Sequence, residues 1–298
     1  MSPKKATTRK TVPPSSVSTA ATPESTSLPT IQHRQINGLE LLSAYPSQAS
    51  RHQVPLLFVH GAFAGAWMWA DHFLPWFAAQ GFQAHAVSLR GHGESSGKDT
   101  LHRFGISDYV DDLETIIQEL GVRPVLIGHS MGGYVVQRYI EQHAVPATVL
   151  LCSVPPQGLF AAQFHLVLRR PDLFFEINRL LSGHDVDLQI VKDALFAQDV
   201  EMAIVEKFYR TMQLESQRAI WDMTLFHLRS WNSLPTPPTL VLGAEDDLLV
   251  PAFLVQSTAR TFGLSAKIFR HMGHGVTHEP NWQEVTSYIA DWLCSQGL

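Results

Sequence analysis

Short unbroken apolar runs alternate with segments of helical spacing between residues 54 and 154, and no other feature of the chain limits its fold so tightly. Residues 54–59, 82–89, 124–128 and 147–154 read as strands. Between them, residues 67–80 read as one helix closed by Gly81. Residues 108–120 place Tyr109, Leu113, Ile116, Ile117 and Leu120 on one face and stop at Gly121, and a third helix starts at Met131 and runs to about Gln142. Strands that are apolar on both faces need cover on both faces. The pattern therefore predicts an α/β fold, with a mostly parallel central sheet between two layers of helices. Asn37-Gly38, between IQHRQI and LELLSAY, predicts a hairpin at the head of the sheet.

The alternation breaks over residues 155–235, which read as several helices without a strand. It resumes with a strand at 239–242, a helix at 251–262, a strand at 266–269 and a last helix at 282–294 that carries Trp282, Val285, Ile289, Trp292 and Leu293 as a stripe. A helical cap over about 156–235, inserted after the strand ending near Val154, would lie above the carboxyl ends of the strands. Open α/β sheets bind ligands there. Residues 1–30 are rich in Ser, Thr and Pro and have too little apolar surface to offset the entropy of ordering, so they are expected to be a disordered tail ahead of a 31–298 domain.

Composition removes several classes of function. Charged residues are 16% of the chain and the formal net charge is −5, without the clustered Lys and Arg of a nucleic-acid binder. No run of about 18 apolar residues exists, so no membrane span is expected. The tail lacks the apolar centre of a signal peptide, and its prolines oppose an amphipathic transit helix. Two distant cysteines, Cys152 and Cys294, fit two buried thiols in a reducing, cytoplasmic setting better than a disulfide. The 15 histidines are scattered, and neither H-E-x-x-H nor paired cysteine spacing occurs; neither a metal nor an organic cofactor is expected.

The chemistry concentrates at VLIGHSMGG, residues 125–133. Gly128-His129-Ser130-Met131-Gly132 is a G-x-S-x-G pentapeptide placed between an apolar strand and a helix, the setting in which a sharp turn raises a serine above a sheet. A serine hydroxyl needs a base to act as a nucleophile, and the base needs an orienting acid. The acid candidates are Asp246 and Asp247 in LVLGAEDDLLVP, just past a strand, with Glu245 a weaker one. The base candidate is His274 in the Gly-flanked turn HMGHG, with His271 and His278 as rivals. An oxyanion hole would draw one backbone N–H from Met131 and one from Ala62 in the glycine-rich loop HGAFAGAW. Arg90 and His92 in LRGHGES are expected to brace the site.

With these stretches in their order, the chain resembles the α/β-hydrolase superfamily, and within it a capped serine esterase or lipase-like member. In similar members the acid stands four residues before a proline, which selects Asp247, and Asp247 is the expected acid; counting from the strand-end glycine selects Asp246 as the alternative. Many relatives carry an aspartate where this chain has Ser88. HGAFAGAW is similar to the loop of plant-type hydroxynitrile lyases and methylesterases. The lyases keep a lysine beside the histidine, where this chain has Gly275. The resemblance implies a hydrolase acting on a small apolar ester through an acyl-enzyme. Alternatives on the same site are thioester, lactone or C–C bond hydrolysis, and a different class is a non-catalytic ligand receptor. Oligomeric state is not legible.

Overall fold

The computed structural model describes residues 29–224 and 236–298. The expected tail lies outside the described residues up to position 28, as does the last part of the expected cap. Eight strands form one sheet: β1 Gln32–Ile36, β2 Leu39–Ala44, β3 Leu56–Val59, β4 Ala84–Val87, β5 Val125–His129, β6 Thr148–Leu151, β7 Thr239–Ala244 and β8 Lys267–Phe269. Their order across the sheet is β1-β2-β4-β3-β5-β6-β7-β8. β2 runs antiparallel to β1 and β4, and β3 to β8 are mutually parallel. The β1–β2 hairpin turns at Asn37 (φ 50°) and Gly38 (φ 83°), two positive values that this dipeptide tolerates.

Both faces of the sheet are covered, as continuous apolar strands require. On one face α2 (Ile106–Leu120), α3 (Met131–Tyr139) and α9 (Ala252–Thr261) bury Tyr109, Leu113, Tyr134, Val135 and Val255. On the other, α1 (Phe73–Ala79) and α10 (Trp282–Ser295) bury Phe73, Phe77, Val285, Ile289 and Leu293 against Phe58 and Ile127. α2 ends where expected, with Gly121 at φ 68°. The single helix expected over 67–80 is instead a 3₁₀ turn at Ala66–Trp69 followed by α1. Pro75 explains the break. A helix running through it would need an N–H that proline lacks and would press its ring on the carbonyl of Asp71, whereas the first turn of a new helix accepts it.

Between β6 and β7 the described residues form five helices and no strand: α4 Phe160–Arg169, α5 Pro171–Leu181, α6 Leu188–Leu195, α7 Met202–Thr211 and α8 Gln217–Thr224. These helices have small cores of their own, Val191 with Val205 and Leu166 with Leu173. Both cysteines are free. Cys152 is buried as expected, but Cys294 is exposed, because it sits off the Val285–Ile289–Leu293 stripe that turns α10 toward the sheet. Among the described residues, no helix is long and apolar enough to cross a membrane.

Candidate active site

Ser130 stands between β5 and the first turn of α3 with φ 53° and ψ −117°. A residue with a side chain at such a dihedral costs of order 1–3 kcal/mol and persists only where its surroundings hold it. They do so from three sides. Ser130 N–H donates to Leu151 of β6 at 3.0 Å, and its carbonyl accepts from Val154 N–H at 3.1 Å and Tyr134 N–H at 3.3 Å. Gly132 lets this turn sit flush on β3, since a β-carbon there would run into the carbonyls of Val59 and His60.

The histidine and its acid arrive from the far side of the sheet. β7 ends at Ala244 and the chain turns through Asp247, whose Oδ1 accepts from the N–H groups of Leu249 and Val250, both at 2.8 Å. Its Oδ2 lies 2.7 Å from Nδ1 of His274, with both side chains buried. Asp246 is exposed, and its N–H donates to Met272, so it shapes the turn without reaching the ring. Of the rivals to His274, His271 is exposed and His278 packs on His72 and Phe208. His274 and Ser130 both line the same two cavities. His129 binds the two segments together: its Nε2 donates to the His274 carbonyl at 2.9 Å, and the two rings are 4.7 Å apart. Burial first, then the neighbouring His274, pushes His129 well below its ordinary pKa, so it stays neutral.

The loop after β3 reaches the serine from the other direction. Gly61 lies so close to Ser130 that a β-carbon would come within 3.0 Å of Ser130 Cβ. Ala62 follows, lining the smaller cavity. Met131 is the first residue of α3, where helix N–H groups have no partner within the helix. His60 is buried, and burial lowers its pKa to about 3, with His92 adding to the effect. Neutral, it donates from Nδ1 to the Gly61 carbonyl at 2.8 Å and accepts Leu89 N–H on Nε2 at 3.0 Å. Ser88 accepts Ala66 N–H at 2.8 Å and donates to the Glu40 carboxylate of β2 at 2.5 Å. Arg90 pairs with Asp112 at 2.7 Å and His92 with Glu215 at 3.0 Å.

Two cavities meet at Ser130 and His274. The smaller, about 140 Å³, is walled mainly by apolar side chains such as Met68, Leu173, Val191, Phe208 and Met212, with Glu176 as its carboxylate. The larger, about 530 Å³, adds the polar groups of Gln163, Asn178, Ser182, Gln217 and Thr224. Phe63, Ile177 and Leu249 border both. Among the described residues, metal-ligand atoms converge at His129, Cys152 and His274, all within 4.8 Å, and at the exposed Glu245, Asp246 and His271. In the first group His274 Nδ1 already bonds Asp247, and His129 Nε2 bonds a carbonyl.

Several residues around the site carried no signal in the sequence. Cys152, at φ 46° just past β6, is buried near Asp247; burial, then that carboxylate, pushes its thiol well above the ordinary range. Glu279 accepts Gly273 N–H at 2.7 Å and Ala197 N–H at 2.6 Å, and Gly275 N–H donates to Leu195, so the histidine loop is fastened to the end of α6. Glu215 and Gln213 fasten the loop after β3. These are single carboxylates and amides outside any motif, and only contact reveals them.

The sequence model described as "Alpha/beta hydrolase family" matches residues 56–287. The chain is 26% identical over 246 residues to a non-heme haloperoxidase of Rhodococcus erythropolis, covering 74% of this chain and 86% of that protein. It is 24% identical over 264 residues to a monoacylglycerol lipase of Mycolicibacterium smegmatis, covering 84% and 90%. An esterase from Exiguobacterium antarcticum shares the fold with a TM-score of 0.65 at 18% identity, over 87% of this chain and 98% of that one.

Proposed function

The chain belongs to the alpha/beta hydrolase family, and on that premise we propose that it cleaves carboxylic esters of apolar substrates with Ser130 as nucleophile, His274 as general base and Asp247 as the group that orients the base. One observation carries this reading: the carboxylate of Asp247 holds Nδ1 of His274 at 2.7 Å while the same histidine opens on the cavities that Ser130 lines. Ser130 Oγ attacks the ester carbonyl as its proton passes to Nε2 of His274. Asp247 stabilises the imidazolium that forms. The oxyanion is received by the N–H groups of Ala62 and Met131. Collapse expels the alcohol, which takes the proton from His274. Water, deprotonated in turn by His274, attacks the acyl-enzyme and releases the acid.

The cavities support an ester with two unlike halves. An apolar cavity of about 150 Å³ holds a group the size of benzene, so the lobe of about 140 Å³ suits a short acyl or aryl group. The larger lobe, with amides and hydroxyls in its wall, suits a bigger partner with polar atoms. This chemistry is in keeping with the lipase and esterase among its relatives. A chain-length series of nitrophenyl esters tests the reading with wild type and Ser130→Ala. Ser130→Ala is expected to lose at least about 10³-fold in kcat, as nucleophile removal does. Covalent labelling of wild type by a fluorophosphonate should vanish in the same variant. Ester turnover that survives the substitution overturns the assignment. Labelling without ester turnover transfers it to a thioester, lactone or C–C bond, and no labelling favours a ligand receptor.

A further inference from the structure

The loop that would hold the oxyanion is not supported by its own domain alone. Phe63, next to Ala62, has φ 63°, a conformation that an aromatic residue adopts only under restraint. The restraint comes from the connection between α7 and α8 of the cap. Gln213 N–H donates to the Phe63 carbonyl at 3.1 Å, and Phe63 N–H donates to Glu215 Oε2 at 3.3 Å. Glu215 is fully buried and its oxygens are saturated: His92 at 3.0 Å, Tyr109 O–H at 3.0 Å and Ser216 N–H at 2.6 Å are its other partners. The Gln213 side chain completes the clamp from below, accepting Gly93 N–H at 2.8 Å and donating to the Gly91 carbonyl at 2.6 Å. A buried carboxylate without such partners would cost several kcal/mol, so the segment has a strong preference for this one arrangement.

We infer that Glu215 is a positioning residue for the oxyanion hole: the cap holds the Ala62–Phe63 peptides in register with Ser130 through it, so that the hole is complete only when the cap segment 213–216 is seated. This inference rests on the proposed role of Ala62 and Ser130. Burial by itself would lower His92, yet the Glu215 charge and hydrogen bond outweigh it and raise its pKa, while the same pairing lowers that of Glu215. Both ring nitrogens of His92 face acceptors, Nδ1 the Arg90 carbonyl at 3.1 Å and Nε2 the Glu215 carboxylate at 3.0 Å, the arrangement of a charged imidazolium paired with a carboxylate. Displacing a reacting group by about 1 Å costs on the order of 10²-fold in rate, and deleting one oxyanion donor about 10²–10³-fold. A loosened donor falls at or below that range.

The test is Glu215→Gln in the full chain, assayed with a short nitrophenyl ester that is turned over by wild type and not by Ser130→Ala. The expected result is a fall of about 10- to 100-fold in kcat with KM changed less than about 3-fold, the mark of an interaction made in the transition state. Affinity for a trifluoromethyl ketone, whose hemiketal oxygen occupies the hole, should drop by a similar factor, while affinity for the carboxylic acid product stays within about 2-fold. Glu215→Asp should recover part of both losses. Gln213→Ala, which leaves the charge pair intact, should show the same pattern at about 3- to 10-fold, and it decides the matter if Glu215→Gln does not fold. Glu206→Gln, at an exposed pair on α7, serves as a neutral control. Unchanged kcat and ketone affinity in folded Glu215→Gln overturn the inference and leave the esterase reading standing. Failure of wild type to lose ester turnover on Ser130→Ala sinks the reading itself.

Discussion

Two histidine–carboxylate pairs lie in the same molecule, and they differ in what the second ring nitrogen meets. In His92–Glu215, at 3.0 Å with both side chains 0% exposed, the far nitrogen of His92 is taken by the Arg90 carbonyl at 3.1 Å. In His274–Asp247, at 2.7 Å with the histidine 6% exposed, the ring opens on the cavities beside Ser130. The first pair has every polar edge occupied and can only hold parts together. The second leaves one edge facing the cavities, as the proposed proton transfer from Ser130 requires. A buried pair of this type is therefore structural or chemical according to its unoccupied edge, and pairing distance alone does not separate the two.

The sharpest way to break this comparison is to truncate both histidines. His274→Ala is expected to lose at least about 10³-fold in kcat, measured by initial rates, and by urea titration it should also lose stability, because the buried Asp247 then keeps only the N–H groups of Leu249 and Val250. His92→Ala should share the loss of stability but not the loss of rate. It leaves Glu215 buried without its cation, a loss of about 3–5 kcal/mol in unfolding free energy, and slows turnover far less than His274→Ala. If both variants lose activity equally at equal stability, the distinction fails. The acids sharpen the next step. Asp247→Asn should cost on the order of 10³–10⁴-fold in kcat, because an amide favours the wrong tautomer of His274, whereas Asp246→Asn, at an exposed turn position, should stay within about 3-fold. The opposite ranking would move the orienting role to Asp246.

Acid should act on the fold through histidines that burial keeps neutral. The pKa of His60 is lowered to about 3, and those of His85 and His278 to about 4, from an ordinary 6.5. The unfolded chain binds these protons below 6.5 and the folded chain does not, so stability falls as pH drops from 6.5 toward 4. His92, raised by its partner, contributes below the ordinary imidazole value, and that contribution is lost as pH rises through its folded value. Glu215, lowered, contributes above the ordinary carboxylate range and loses it as pH falls through its folded value. Midpoints of urea unfolding across pH 4 to 9 should thus fall steeply on the acid side, and Glu215→Gln should remove the decline on the alkaline side. A flat acid limb would contradict the buried neutral histidines. The smallest expected effect is at Cys152. With its thiol held protonated against Asp247, Cys152→Ala should slow turnover less than about 10-fold, and native protein should resist iodoacetamide at this site while the exposed Cys294 reacts.

What the sequence by itself determined is whatever depends on local periodicity and on residues with special backbone needs. Apolar runs of strand length fixed the sheet and its covered faces, Asn37-Gly38 the hairpin, and Gly128 through Gly132 the turn that lifts Ser130. The histidine turn was legible because His274 stands between glycines just past β8. The helix break at Pro75 was legible in principle, since one missing N–H decided it. The tertiary structure alone decided which of two adjacent aspartates faces the ring. Asp246 and Asp247 differ by one step along a turn, and the turn's path is set by Met272 holding Asp246 N–H. It alone decided, too, that Glu215 reaches Phe63 across 152 positions of sequence and Glu279 reaches Ala197 across 82. A buried carboxylate is recognisable only by the partners that repay its desolvation, and those partners come from chain segments that no local pattern brings together.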